Sequence, residues 1–206
     1  SEMCIRDSSR YIPFSCRFIN DANAAGLAEV RDLESPRSLV YLSLSNSVGG
    51  AILTGGALYG GDHLRAGEFG HNTLVPDGRP CYCGKKGCLD AYCSAKVLSQ
   101  LTDGNLALFF DGLRSGNAAL QTAWNEYLSY LAVAVNNLRM TFDCDVIVGG
   151  YVGGFLAEFG EPLREMLVER NTFEPDSSYL KFSRYRLEAS ALGAALLHIE
   201  AFIQNL

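Results

Sequence analysis

Apolar residues recur at three- and four-residue spacing through residues 117–142, at Leu120, Trp124, Tyr127, Leu128, Leu131, Val135 and Leu138. A stripe of that period predicts one long amphipathic helix and makes Trp124 a core residue rather than part of a cofactor box. Elsewhere the pattern changes to short apolar runs bounded by glycine. Residues 38–44 (S-L-V-Y-L-S-L) predict a strand, Gly49-Gly50 a turn, and 51–54 its returning partner, with Gly55-Gly56 closing the unit. Residues 144–148 (C-D-V-I-V) predict a buried strand ending at Gly149-Gly150, and 180–185 a further one; 17–19 predict a short strand end. Helices are expected after Asn20-Asp21, over 94–101, 105–113 and 189–203, and over 155–169 with an interruption near Gly160 and Pro162. Helices alternating with strands define an α/β class.

One domain over 13–206 accounts for this pattern. Residues 1–12 are expected to be a disordered or non-native leader. Their first ten (S-E-M-C-I-R-D-S-S-R) lack periodicity and the apolar core of a signal peptide, which suggests a truncated gene or a joined-on segment. With 48% hydrophobic and 19% charged residues the chain can bury a core. The net charge of -6 argues against this segment gripping nucleic acid by itself. No run reaches the roughly 18–20 apolar residues of a membrane span. Seven cysteines, an odd number, suit a reducing cytoplasm. Four of them (Cys4, Cys16, Cys93, Cys144) have no disulfide-framework spacing.

The other three carry chemistry. His71 is followed by Cys81, Cys83 and Cys88 in C-Y-C-G-K-K-G-C, where Gly84 and Gly87 permit tight turns. Three thiolates and one imidazole complete a tetrahedral zinc set, and a closed set leaves no position for an activated water, so the metal would be structural. Asp21 lies at a strand-to-helix junction; it either accepts a proton from a sugar hydroxyl attacking a phosphoryl group or caps the following helix. Glu68 and Asp90, on either side of the cysteine loop, add two acceptors suited to a polyhydroxylated ligand, or stand as solvated loop charges.

Asn20-Asp21-Ala22-Asn23, G-E-F-G-H at 67–71 and C-x-C-G-x-x-G-C-L-D at 81–90 together resemble the signature of the ROK family of bacterial sugar kinases, sugar-responsive repressors and related open reading frames. The resemblance runs from about residue 13 to the C-terminus. It implies an actin-like, ribonuclease-H-like ATPase domain with a mixed sheet flanked by helices and an inserted zinc-binding loop, here the C-terminal domain. It also implies Asp21 as catalytic base, Asn20, Asp21, Glu68, His71 and Asp90 around the sugar, and His71, Cys81, Cys83 and Cys88 on zinc. The family's usual Glu is Asp90 here, one methylene shorter. Metal on one nitrogen of His71 would fix the tautomer and leave the other N–H for a sugar hydroxyl. A homo-oligomer and a cytoplasmic location are further implications.

Three departures separate the chain from a family kinase. The phosphate loop resembling G-T-G-x-G-G-G reads Ser45-Asn46-Ser47-Val48-Gly49-Gly50-Ala51, and the adenosine-side glycines read Gly149-Gly150-Tyr151. The degenerate nucleotide set is therefore Asn46, Ser47, Gly49, Gly50, Gly149 and Gly150. A D-x-G-G-T loop is absent, so the isolated chain is expected to be inactive. Glycines admit phosphate by torsions that other residues resist. Their loss at 45, 47 and 51 points to a sugar-responsive transcriptional regulator, reading DNA only through an upstream domain. The alternative is a fragment of an ATP-dependent sugar kinase of glucokinase or N-acetylhexosamine kinase type, with ATP and magnesium.

Overall fold

The computed structural model describes residues 11–12, 14, 16, 18–31, 37–185 and 187–203. The leader expected over 1–12 falls outside them except for Tyr11 and Ile12. Arg17 is also outside, and Phe18 and Ile19 carry no strand.

Helix α1 (Asp21–Val30) is followed by strands β1 (Leu39–Leu44), β2 (Val48–Thr54) and β3 (Ala57–Leu58). A long loop containing one 3-10 turn (Phe69–His71) leads to the short helices α2 (Asp90–Cys93) and α3 (Ala95–Ser99), then α4 (Leu106–Arg114) and α5 (Ala118–Phe142). Strand β4 (Asp145–Gly149) precedes α6 (Gly150–Gly153), α7 (Leu156–Phe159) and α8 (Glu161–Val168); β5 (Leu180–Phe182) and α9 (Ala189–Ile203) end the fold. The described strands form one five-stranded sheet in the order β3-β2-β1-β4-β5. β1, β2 and β3 pair antiparallel, whereas β4 and β5 run parallel to β1.

β1 is buried at every position, as a central strand covered on both faces must be. Its alternation divides the core. Val40, Leu42 and Leu44 face α2 through α8, with Trp124 and Tyr127 at the centre, while Leu39 and Tyr41 face α1 and α9. Trp124 is core, its indole N–H donating to the Phe159 carbonyl at 3.1 Å. The expected 155–169 helix is two, broken at Gly160, because Pro162 enters the first turn of α8 and cannot continue α7.

α1 carries Ala22, Ala24, Ala25, Gly26 and Ala28 buried around its circumference because it is pressed between the sheet and α9. A Cβ at Gly26 would come 3.0 Å from the side chains of Ala51 and Leu53, and one at Gly193 would collide with the Ala24 carbonyl oxygen. Gly193→Ala is therefore expected to lower stability by about 3 kcal/mol, because the obstacle is backbone, measurable by urea unfolding. An unchanged midpoint would show that α9 is not clamped on α1.

The strand expected over 180–185 stops at Phe182 for a tertiary reason. Ser183 Oγ donates to the buried Glu29 carboxylate at 2.6 Å, and the Arg184 amide donates to it at 3.0 Å. These bonds turn the chain off the sheet and tie it to the last turn of α1.

Candidate functional site

The C-terminal ends of β1 and β4 open into a cavity of about 350 Å3 lined by Asp21, Tyr41, Ser43, Ser45, Asn46, Ser47, Gly150, Tyr151 and Ser190, among others. Asn20, not Asp21, is the N-cap of α1: its Oδ1 accepts from the amides of Ala22 at 2.9 Å and Asn23 at 3.2 Å. Asp21, the first helical residue, is exposed and aimed at the cavity, with Oδ1 also accepting from the Ala22 amide at 2.8 Å. Ser190 of α9 donates to the Asp21 carbonyl at 3.0 Å, so both layers hold this corner.

Ser45, Asn46 and Ser47 form the turn between β1 and β2. None of them has a positive φ, so serine or asparagine there carries no strain. The expected Gly49-Gly50 turn is instead the start of β2, paired with Ser43 and Leu42. Glycine is needed at 50 because a Cβ would strike the Phe69 ring and come 2.8 Å from the Gly67 carbonyl oxygen; at 49 it would meet Ala22 Cβ at 3.1 Å. Ala51 is wholly buried in the core under α1.

Gly149 and Gly150 bring the start of α6 against β1. Gly150 has φ +77, and a Cβ on it would lie 2.7 Å from the Leu44 nitrogen. Tyr151 borders a second cavity, of about 470 Å3, lined also by Leu106, Arg114, Phe155, Glu158 and Leu187. The two cavities share Gly150, Tyr151 and Leu187 and so adjoin. Beneath them burial pushes the Tyr41 hydroxyl up to about 12. Tyr41 therefore stays protonated and neutral in the cavity wall.

The cysteine loop is folded as its spacing requires. Cys81 N–H donates to the Lys85 carbonyl at 2.8 Å and Gly84 N–H to the Cys81 carbonyl at 3.0 Å, a tight knuckle with Gly84 at φ +88. Gly87, at φ +78, passes so close to the Val75 carbonyl that any side chain would collide. His71, Cys81, Cys83 and Cys88 place their ligand atoms within 4.8 Å of one another. Cys83 Sγ is 3.7 Å from Cys88 Sγ, and Cys81 Sγ is 3.9 Å from His71 Nδ1. Zinc–sulfur bonds of about 2.3 Å in a tetrahedron put sulfurs about 3.8 Å apart, so the donor set fits zinc. Burial, with the adjacent sulfurs, pushes the Cys88 thiol up to about 11, while the Lys85 amide holds Cys83 below the ordinary thiol range. A dication would supply the charge that makes three neighbouring thiolates tolerable.

Glu68, His71 and Asp90 are not among the residues that line the Asp21 cavity. Glu68 is exposed in a separate groove of about 340 Å3, against Arg65, Asn72, Asn137 and Thr141, which shares no lining residue with the Asp21 cavity. His71 turns Nε2 toward Tyr82 Oη, 3.3 Å away. Asp90 is buried, and its Oδ1 accepts from the Val48 amide at 2.6 Å. Sequence reasoning missed Tyr41, Ser43 and Ser190. The signal for the first two was present, since positions 41 and 43 share one face of β1 at its cavity end.

This sheet order, with the cleft at the ends of β1 and β4, belongs to an actin-like ATPase domain carrying a zinc-type knuckle. The chain is a member of the ROK family, whose model matches residues 9–201. It is 35% identical over 188 residues to an N-acetylmannosamine kinase of Escherichia coli O9:H4, across 87% of this chain and 63% of that protein. The chain thus spans under two thirds of the length of such curated relatives. The structure is similar to a ROK family glucokinase from Streptomyces griseus in complex with glucose and AMPPNP (TM-score 0.79, 25% identity, 93% of this chain and 70% of that one). It shares its fold with a ROK family transcriptional regulator homologous to the E. coli MLC protein (TM-score 0.71, 22% identity, 93% and 54%). Among the described residues no helix is long and apolar enough to cross a membrane.

Proposed function

We propose that this chain is the sugar- and nucleotide-binding part of an ATP-dependent sugar kinase acting on a hexose or N-acetylhexosamine. The observation that carries the reading is Asp21, whose carboxylate faces one cavity together with the β1–β2 turn and Gly150. In that arrangement Asp21 takes the proton of the attacking sugar hydroxyl as the hydroxyl oxygen bonds to the γ-phosphorus of ATP and the bond from that phosphorus to the bridging oxygen breaks, releasing ADP. The Ser45, Asn46 and Ser47 side chains, with backbone amides of the turn, hold the phosphates. Tyr151 and the adjoining cavity receive the nucleoside, the tyrosine ring offering a stacking face. Magnesium, arriving with ATP, supplies charge neutralisation across the phosphates. His71, Cys81, Cys83 and Cys88 hold zinc and keep the neighbouring sugar-binding surface rigid, with Asn20, Glu68 and His71 the candidate sugar contacts.

The sequence alone favoured a regulator, on the loss of glycines at 45, 47 and 51. Two observations weaken that argument. The turn uses ordinary torsions that serine adopts freely, and Ala51 is a core position under α1. The 35% identity to an N-acetylmannosamine kinase adds weight on the kinase side. A regulator remains the second reading through its shared fold. Calorimetry with glucose and N-acetylmannosamine, run beside ADP release from MgATP, separates the two on the protein as encoded. Sugar-dependent ADP release is the expected result; saturable sugar binding with no release at any MgATP concentration would favour the regulator.

A further inference from the structure

We propose that Asp90 is a positioning residue for the β1–β2 turn, and that it couples the Cys3His clasp to phosphate binding instead of touching the sugar; this rests on the kinase reading above. Asp90 lies two residues beyond Cys88 and is 7% exposed. Its carboxylate reaches across 42 residues to accept the Val48 amide at 2.6 Å, a short bond from a charged acceptor. Val48 immediately follows the turn. Immediately before the turn residues Asn46 and Ser47, the Ser45 carbonyl accepts from the Ala95 amide at 2.7 Å. The α2–α3 segment therefore holds both ends of the turn, one by accepting and one by donating.

That segment is itself anchored, since Tyr127 of α5 donates to the Cys93 carbonyl at 2.6 Å. On the other flank the stem leading into the clasp grips the same hairpin. A Cβ on Gly67 would lie 2.6 Å from the Gly50 carbonyl oxygen, and Phe69 packs where a Gly50 side chain would be. Residues 67–69 and 89–95 are thus the two stems of the loop that His71 and the three cysteines close, and both bear on β1–β2. Closing the loop fixes the spacing of its stems, and the stems fix the turn. Asp90 spends Oδ1 on the Val48 amide, the bond through which it would position the turn.

The test uses the zinc-loaded chain with Asp90→Ala and Asp90→Asn, following Val48 amide exchange by NMR and the affinities for MgADP and for glucose or N-acetylmannosamine by calorimetry. Asp90→Ala is expected to speed Val48 exchange and to weaken MgADP binding, each about tenfold or more, with one zinc per chain retained and sugar affinity within about twofold. Asp90→Asn, which keeps an oxygen acceptor at the same reach, should restore both to near the unsubstituted values. Should Asp90→Ala not fold, Asp90→Ser, polar but too short to reach Val48, is held to the same expectation. Unchanged Val48 exchange and MgADP affinity, with sugar affinity lost instead, would overturn the proposal and return Asp90 to the sugar. An unsubstituted chain that binds no MgADP would count against the kinase reading, while Val48 exchange in the variants would still judge Asp90.

Discussion

Asp21→Asn is expected to cut sugar-dependent kcat by about 10²–10⁴-fold, the usual contribution of a positioned general base. The amide has the same shape but cannot take up a proton at neutral pH. Folding should be almost untouched, because Asn20 rather than Asp21 caps α1 and the oxygen of the substituted side chain can still accept the Ala22 amide. Sugar affinity should shift by no more than a few fold. The combination is diagnostic: a structural role for Asp21 would lower the melting temperature, and a pure binding role would raise KM at constant kcat. A kcat that falls less than tenfold would remove Asp21 as base.

Cys88→Ser should have the largest effect on stability. Cys88 is fully buried, its thiol lies 3.7 Å from that of Cys83, and its backbone bridges to Thr73. Structural zinc contributes on the order of 10–16 kcal/mol of apparent binding free energy in small domains, and losing one of four ligands forfeits a sizeable part of it. At about 2–4 °C per kcal/mol for a chain of this size, a fall in Tm on the order of 10 °C or more is expected. Cys144→Ser, a half-buried thiol outside the clasp, should shift Tm by only a few degrees and leave one zinc per chain. If Cys88→Ser melts with the unsubstituted protein, the four side chains do not clasp a metal.

How much of this was legible in the sequence depends on how local each signal is. α5 was readable almost to its ends because 25 residues of helical period lie between Asn117, whose side chain caps the first turn, and Asp143, in the left-handed region beyond the last. The clasp was readable because three ligands fall within eight residues and glycines mark its turns. The four-residue helices α2 and α6 were not, since one turn holds no period. Gly49 and Gly50 misled for another reason. Glycine there admits Ala22 and Phe69 against β2, a packing demand between segments about 20 to 30 residues apart, and it mimics a turn signal. The end of β5 depends on Glu29, 154 residues from Ser183.

The site divides along the same line. Asp21, the Ser45–Ser47 turn and Gly150 were all named from sequence, and the fold brings them to one cavity. Glu68 was grouped with them by motif, yet it lines another groove. Asp90 looked like a ligand because it follows the last cysteine so closely. Its bond to Val48 depends on how α2 docks against the hairpin, which no local pattern encodes. The preference for a regulator had the same origin: the missing glycines were weighed without the torsions of the turn.

The most direct test of the kinase account follows the phosphorus itself. ³¹P NMR of the zinc-loaded protein as encoded, incubated with MgATP and either glucose or N-acetylmannosamine, should show a sugar phosphomonoester growing in step with ADP, and neither signal with Asp21→Asn. Tight sugar binding with an unchanging ATP spectrum, or ADP appearing with inorganic phosphate alone, would contradict it.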